Sequence, residues 1–299
     1  MKRKTVVALL CIVLCVCFCS CPGPGPKPPT AVPSTIRIAT FNALRLGHNN
    51  GKSLQKLVDV LSAFDVVALE EVMNEDTLKA VKEILGQATG SPWEYVISGR
   101  KIGRSSYKEY YAIIFRADRT QLLPGSAQIW NDADDKFERE PFSASFRSGN
   151  FDYTIIVMHS DFDSNKEVMR AEARNLRQVF ETLQDRDAKE NDLILVGDFN
   201  LPADDEGWSN LRSISTVRNL LPGTTRTTLS ASGALSSAYD NIWIQDTYTH
   251  HEYADTTVAD YYFTRMFRAF EKPGAEARRR ISDHVPVYAV FWTNREDDD

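Results

Sequence analysis

Apolar, β-branched runs recur along the chain at residues 36–42, 66–72, 112–115, 142–146, 153–159, 193–197, 241–244 and 285–292. Several are continuous, as expected of strands covered on both faces, whereas the last alternates. Between the early runs the period changes to that of a helix. Leu54, Leu57, Val58 and Leu61 share one face, and Leu78, Val81, Ile84 and Leu85 share another in a helix predicted to end at Gly86. The longest predicted helix covers 166–184, with Met169, Leu176, Val179, Phe180 and Leu183 facing inward. Strands and helices interleave first and strands dominate later. That order predicts an α/β fold, a mixed sandwich rather than a purely parallel sheet. No internal repeat is visible, and no linker interrupts residues 35–293, which are read as one domain.

The first 33 residues have another character. Lys2, Arg3 and Lys4 precede an apolar run over 6–19, about the length of a signal-peptide core and short for a membrane span. Ser20-Cys21 follows, which resembles a bacterial lipoprotein signal with Cys21 as the lipidated residue, although Phe18 stands where that signal usually has Leu. An ordinary signal peptide cut nearby is the alternative. Residues 22–34 are rich in Pro and Gly and read as an extended tether, and 294–299 form an acidic tail. The expected location is outside the cytoplasm, membrane-anchored and facing periplasm or exterior, or else secreted. All five cysteines lie between Cys11 and Cys21, so the domain holds no disulfide and must be stable through burial. Loss of residues 1–20 removes three basic residues and no acidic one, shifting the net charge from −6 to −9. Such a balance argues against a general polycation but permits a nuclease with a local basic surface.

Chemistry-bearing residues collect at the predicted strand ends. "LILVGDFN" (193–200) presents Asp198 and Asn200, which alternate and so point the same way. Taken alone, this pair fits a turn better than a ligand site. "ISDHVPV" (281–287) sets Asp283 beside His284. "DVVALEEV" (65–72) ends in Glu70 and Glu71, one of which must face inward unless both have reached solvent. Asn42 and His159 close two further runs, and each alone is more often structural. Together, five strand ends offer oxygen donors and imidazoles and no thiolate. The set suits a hard divalent cation and phosphoryl chemistry.

"ATFN", "LEEV", "GRSSYKEYYAIIFR", "FEREP", "MHS", "LVGDFN", "SSAYDNIWI" and "ISDHVPV" occur in an order and spacing similar to the endonuclease/exonuclease/phosphatase superfamily, with the greatest resemblance to deoxyribonuclease I. The resemblance spans residues 36–291 and implies a four-layer fold, two packed, mainly antiparallel or mixed β-sheets flanked by helices. It implies Glu71 as principal metal ligand, with Asn42, Asp198, Asn200 and Asp283 completing a metal- and phosphate-binding cluster for Mg²⁺, Mn²⁺ or Ca²⁺. His159 and His284 would be the catalytic histidines, oriented by Glu109 and Asp240. Tyr107, Arg139 and Thr228 would contact DNA. Departures are also visible: Met73 stands where the family has a minor-groove arginine, Glu70 replaces a glutamine, and Arg226 falls where a calcium-binding aspartate is expected, implying loss of that calcium site.

The activity implied is hydrolysis of DNA phosphodiester bonds to 5′-phosphate products by a monomer. The alternative enzyme is a metal-dependent phosphodiesterase or phosphatase of lipid head groups. A third class, a catalytically dead adhesin, is disfavoured by the complete set of site residues.

Overall fold

The computed structural model describes residues 34–48, 51–162, 165–186, 191–254, 260–261 and 274–296. The signal-like segment, Cys21, nearly all of the Pro/Gly tether and the end of the acidic tail lie outside the described residues. Among those described, the chain runs β1 (Thr35–Leu46), α1 (Leu54–Leu61), β2 (Val66–Val72), α2 (Glu75–Thr89), β3 (Trp93–Ile97), β4 (Tyr110–Arg116), β5 (Gln121–Leu122), β6 (Gln128–Ile129), β7 (Phe142–Ser148) and β8 (Phe151–His159). It continues through α3 (Lys166–Gln184), β9 (Leu193–Asp198), β10 (Val217–Asn219), β11 (Asp240–Gln245), β12 (Asp260–Tyr261) and β13 (Val287–Trp292), with short helices at Ser209–Arg212, Asp246–Thr249 and Ala275–Arg280.

The strands form two sheets, ordered β12-β13-β1-β2-β4-β3 and β10-β11-β9-β8-β7-β5, with β6 also on β7. In each sheet one central pair is parallel, β1 with β2 and β8 with β9, and the remaining pairs are antiparallel. The expected mixed sandwich is therefore present. Side-chain alternation divides each strand between two cores. Ile36 and Ile38 of β1, Val66 and Ala68 of β2, Ile155 and Val157 of β8, and Ile194 and Val196 of β9 pack between the sheets. Their neighbours Ala39, Phe41, Val67 and Leu69 pack under α1 and α2, and Ile156, Met158, Leu193 and Leu195 pack under α3. Helix, sheet, sheet and helix thus make the four layers.

Helix α3 has the predicted bounds, starting at an Asn165 cap that accepts from the Glu167 amide. Helix α2 differs from expectation. It passes through Gly86 and ends one turn later, where Gly90 adopts φ 67 and its N–H donates to the Gly86 carbonyl. A glycine inside a helix lowers its propensity without stopping it; the left-handed residue that caps the end is the second one. Strand β3 was not foreseen, because an edge strand with only Trp93 buried shows weak alternation.

Candidate active site

The same alternation that builds the inter-sheet core places the chemistry. Counting by twos along β1 from Ile36 and Ile38 arrives at Thr40 and Asn42. The corresponding rows end at Glu70 on β2, His159 on β8 and Asp198 on β9, and begin at Asp240 on β11. These polar groups occupy one end of the inter-sheet layer, where Asn42 Nδ2 donates across the sheets to Asp198 Oδ2 at 3.0 Å. A cleft of about 790 Å³ opens above them, and Glu71, Tyr107, Arg139, Asp283 and Thr228 line it with both histidines.

Gly197 lets β9 and β8 approach at this point. Its φ is +147, and a Cβ there would lie 1.8 Å from the Met158 carbonyl oxygen. The two glutamates separate for a different reason. Pairing of β2 shifts register after Glu70 on one side and after Leu69 on the other, and Glu71 takes φ 56. The bulge turns Glu71 into the cleft and leaves Glu70 fully buried, accepting from Thr40 Oγ1 at 2.6 Å. Burial pushes the Glu70 carboxyl well above the usual range.

Two imidazole–carboxylate pairs stand at the floor of the cleft. His159 Nδ1 lies 2.9 Å from Glu109 Oε1, and His284 Nδ1 lies 2.8 Å from Asp240 Oδ2. Both Nε2 atoms turn toward one oxygen, Asp198 Oδ2, at 3.6 and 3.4 Å. Burial alone would lower the His159 pKa, but the Glu109 charge and hydrogen bond, then Asp198, raise it from 6.5 to about 9. Against the same burial, Asp240 and Asp198 hold His284 well above its ordinary value. Asp198 opposes its own burial through the charges of His284 and His159, and its carboxyl is depressed.

The supporting contacts leave these groups little freedom. Tyr111 Oη accepts the His159 backbone N–H at 2.9 Å, and Arg139 Nε stands 3.4 Å from Glu109 Oε2. Ser282 Oγ donates to the Asn42 carbonyl at 2.6 Å and accepts from the His284 N–H at 3.1 Å, tying the "SDH" turn to β1. Thr228 pairs with His284 through backbone and lines the cleft.

The oxygen donors divide into two groups. Glu71 and Asp198 are cross-linked by the Asn42 amide, at 3.1 and 3.0 Å, and the Tyr107 hydroxyl donates to Glu71 Oε2 at 2.7 Å. Asn200 supports the set through its backbone, donating to Asp198 Oδ1 at 3.1 Å, while its side-chain amide donates to the Ser160 carbonyl. Asp283 also lines the cleft, yet Arg278 Nη1 occupies its Oδ2 at 2.7 Å. Oxygen atoms of Asp198 and Asp240 and a nitrogen of His284 fall within 4.8 Å of one another. Asp240 and His284 are already bonded to each other, so that trio is an imidazole–carboxylate pair beside a third charge. The cleft-facing carboxylates Glu71 and Asp198 are the better fit for a hard cation, with no cysteine among the described residues.

Sequence reading did not single out several cleft residues: Arg45, Arg278, Arg279, Phe162 and Tyr239. Arg45 and Arg139 stack on Tyr107, with guanidinium carbons 5.2 and 5.3 Å from the ring centroid. A signal existed for Arg278 and Arg279, since a run of three arginines directly precedes "ISDH". None existed for Tyr239 or Phe162, whose importance depends on which loops meet.

Comparison with known proteins agrees with the geometry. Residues 39–284 match the model of the Endonuclease/Exonuclease/phosphatase family. A protein of Thioalkalivibrio sp. named Deoxyribonuclease is 31% identical, over 89% of this chain and 73% of that one. Deoxyribonuclease-1 of Gallus gallus is 29% identical, over 86% of this chain and 92% of that one. The crystal structure of an endonuclease/exonuclease/phosphatase family protein from Bacteroides thetaiotaomicron superposes with a TM-score of 0.59 at 17% identity, over 89% of this chain and 99% of that one, which establishes a shared fold.

Proposed function

The chain belongs to the endonuclease/exonuclease/phosphatase family, and from that membership we propose that it is a divalent-metal-dependent endonuclease that hydrolyses DNA to 5′-phosphate and 3′-hydroxyl ends. The observation that carries the reading is the convergence of two imidazole–carboxylate pairs on Asp198 at the floor of the cleft. Phosphodiester hydrolysis needs a proton taken from water and a proton given to the leaving oxygen. His159 and His284 each have Nδ1 committed to a carboxylate and Nε2 toward the cleft, the arrangement that one base and one acid require. Glu71 and Asp198 would hold the cation, whose charge would offset repulsion between an anionic substrate and these carboxylates and stabilise charge developing on phosphorus. Arg139 and Thr228 would bind phosphate and Tyr107 would lie against the DNA beside them, a reading supported by the presence of all three in the cleft lining. Cations along the cleft wall and relatives named deoxyribonuclease favour DNA over a lipid head group.

Digestion of plasmid DNA, RNA and sphingomyelin with Mg²⁺, each repeated with EDTA, tests the reading. Nicked plasmid with Mg²⁺ and none with EDTA is expected. Cleavage of sphingomyelin without cleavage of DNA would replace it with the lipid alternative. Export and anchoring through Cys21 belong to the same proposal, motivated by the basic, apolar and Ser-Cys series. Cys21→Ala should release the protein from membranes or leave it unprocessed, and unchanged membrane fractionation and processing would remove the anchor.

A further inference from the structure

A second cavity of about 600 Å³ adjoins the cleft, and Phe162, Asn200 and Tyr239 line both. Its size falls within the roughly 300–1,000 Å³ of small-ligand sites. Phe162 forms the shared lip and is 71% exposed, in a protein whose other large apolar side chains are covered among the described residues. Tyr239 supplies a second aromatic side chain. Lys166, at the start of α3, and the exposed Arg226 give the wall its positive charge. Lys166 is paired with Asp205 at 2.7 Å, so Arg226 is the less committed cation.

The backbone just before Phe162 is tied to a buried group. The buried Glu172 carboxylate accepts from the Asp161 N–H at 2.8 Å and from the Glu138 N–H at 2.6 Å. Asp161 Oδ1 in turn accepts from the Phe162 N–H at 2.9 Å. One buried side chain on α3 therefore ties down both Asp161, next to Phe162, and the segment presenting Arg139. An exposed aromatic ring at the mouth of a cavity that carries two cations contributes little to packing, whereas a planar base with a phosphate attached would use each feature.

We propose that this cavity is a nucleotide subsite, in which Phe162 stacks on an unpaired base one step from the scissile phosphate while Arg226 faces the adjoining backbone phosphate. The inference rests on the nuclease reading and deepens it to a preference for single-stranded, frayed or nicked DNA over intact duplex. A paired base reaches such a cavity only by leaving its stack, which costs a few kcal/mol, so duplex gains less from the site.

Binding can be separated from turnover in a His159→Ala background with Mg²⁺. The probes are a short fluorescein-labelled single strand and a blunt hairpin of the same composition, followed by anisotropy. Adding Phe162→Ala should weaken single-strand binding roughly 5- to 150-fold, the range for losing one base–aromatic stack, and change hairpin binding little. Phe162→Tyr should restore it, because the ring face remains. Arg226→Gln should lower the slope of log affinity against log salt by about 0.7, one released counterion on a single strand. Unchanged single-strand affinity in the Phe162→Ala protein, or an equal loss for the hairpin, overturns the subsite while leaving the nuclease reading intact. If the His159→Ala parent binds neither probe, the DNA reading fails and takes the subsite with it. Phe162 is mostly in water, so its replacement should leave the melting temperature unchanged, and a lowered one with no Tyr rescue also counts against stacking.

Discussion

Replacing His159 or His284 by Ala should lower DNA turnover by roughly 10²–10⁴-fold in each case, the usual cost of losing general acid or base help. The two rings occupy equivalent positions, each with Nδ1 on a buried carboxylate and Nε2 within 3.6 Å of Asp198 Oδ2. Because one proton must enter and another leave in a single displacement, the double variant should fall well short of the product of the single losses. Glu109→Gln and Asp240→Asn should be milder than the alanine variants. Each keeps a group that can bond to Nδ1 but removes the charge that favours the imidazolium and fixes its tautomer. Single-turnover cleavage of a labelled oligonucleotide with saturating Mg²⁺ measures these steps directly. Near-normal cleavage by the His159→Ala protein would remove His159 from the mechanism even if DNA remained the substrate.

Much of this arrangement was legible in the sequence because alternation along a strand is a strong constraint. Once residues 193–197 are a buried strand, Asp198 must stand on the same face as Val196 and Ile194, and that face is the inter-sheet core. The same logic put Asn42 and His159 at strand ends. What alternation could not resolve was the fate of Glu71, since a bulge breaks the period after Glu70 and turns Glu71 into the cleft, whereas Glu70 stays on the row of Val66 and Ala68. Helix α3 was readable because its apolar stripe is long, and the Asn165 side chain caps its start in the structure. The end of α2 was not, because Gly86 resembles the Gly90 cap and only backbone conformation distinguishes them. Arg278 on Asp283, Tyr107 on Glu71 and the Phe162 cavity required knowledge of which distant loops meet, and local pattern carries no such information.

Asp198→Asn should reduce turnover by roughly 10²–10³-fold, the range for losing one preorganised charge contact to the reacting centre. Asp198 is unusual in the site because it serves both halves. It is the carboxylate that both Nε2 atoms face, it receives the Asn42 amide from the opposite sheet, and it is one of two candidate cation ligands. Its role can be separated from metal binding by working on chelated protein. There the Asp198 charge supports the imidazolium forms, acting on His159 after Glu109 and on His284 after Asp240. The variant should therefore lower both histidine pKa values, bringing His159 down from about 9 toward 6.5, as read by imidazole NMR titration. Stability should follow the same linkage. A histidine whose folded pKa is raised contributes fully below its unfolded value and loses that contribution as pH rises through the folded one. The chelated parent should thus lose melting temperature between about pH 6.5 and 9. With the upper pKa lowered, the variant should show a smaller decline that ends at lower pH. Histidine titrations that do not move in the Asp198→Asn protein would show that Asp198 does not hold the two rings charged, and any loss of turnover would then have to come through the cation alone.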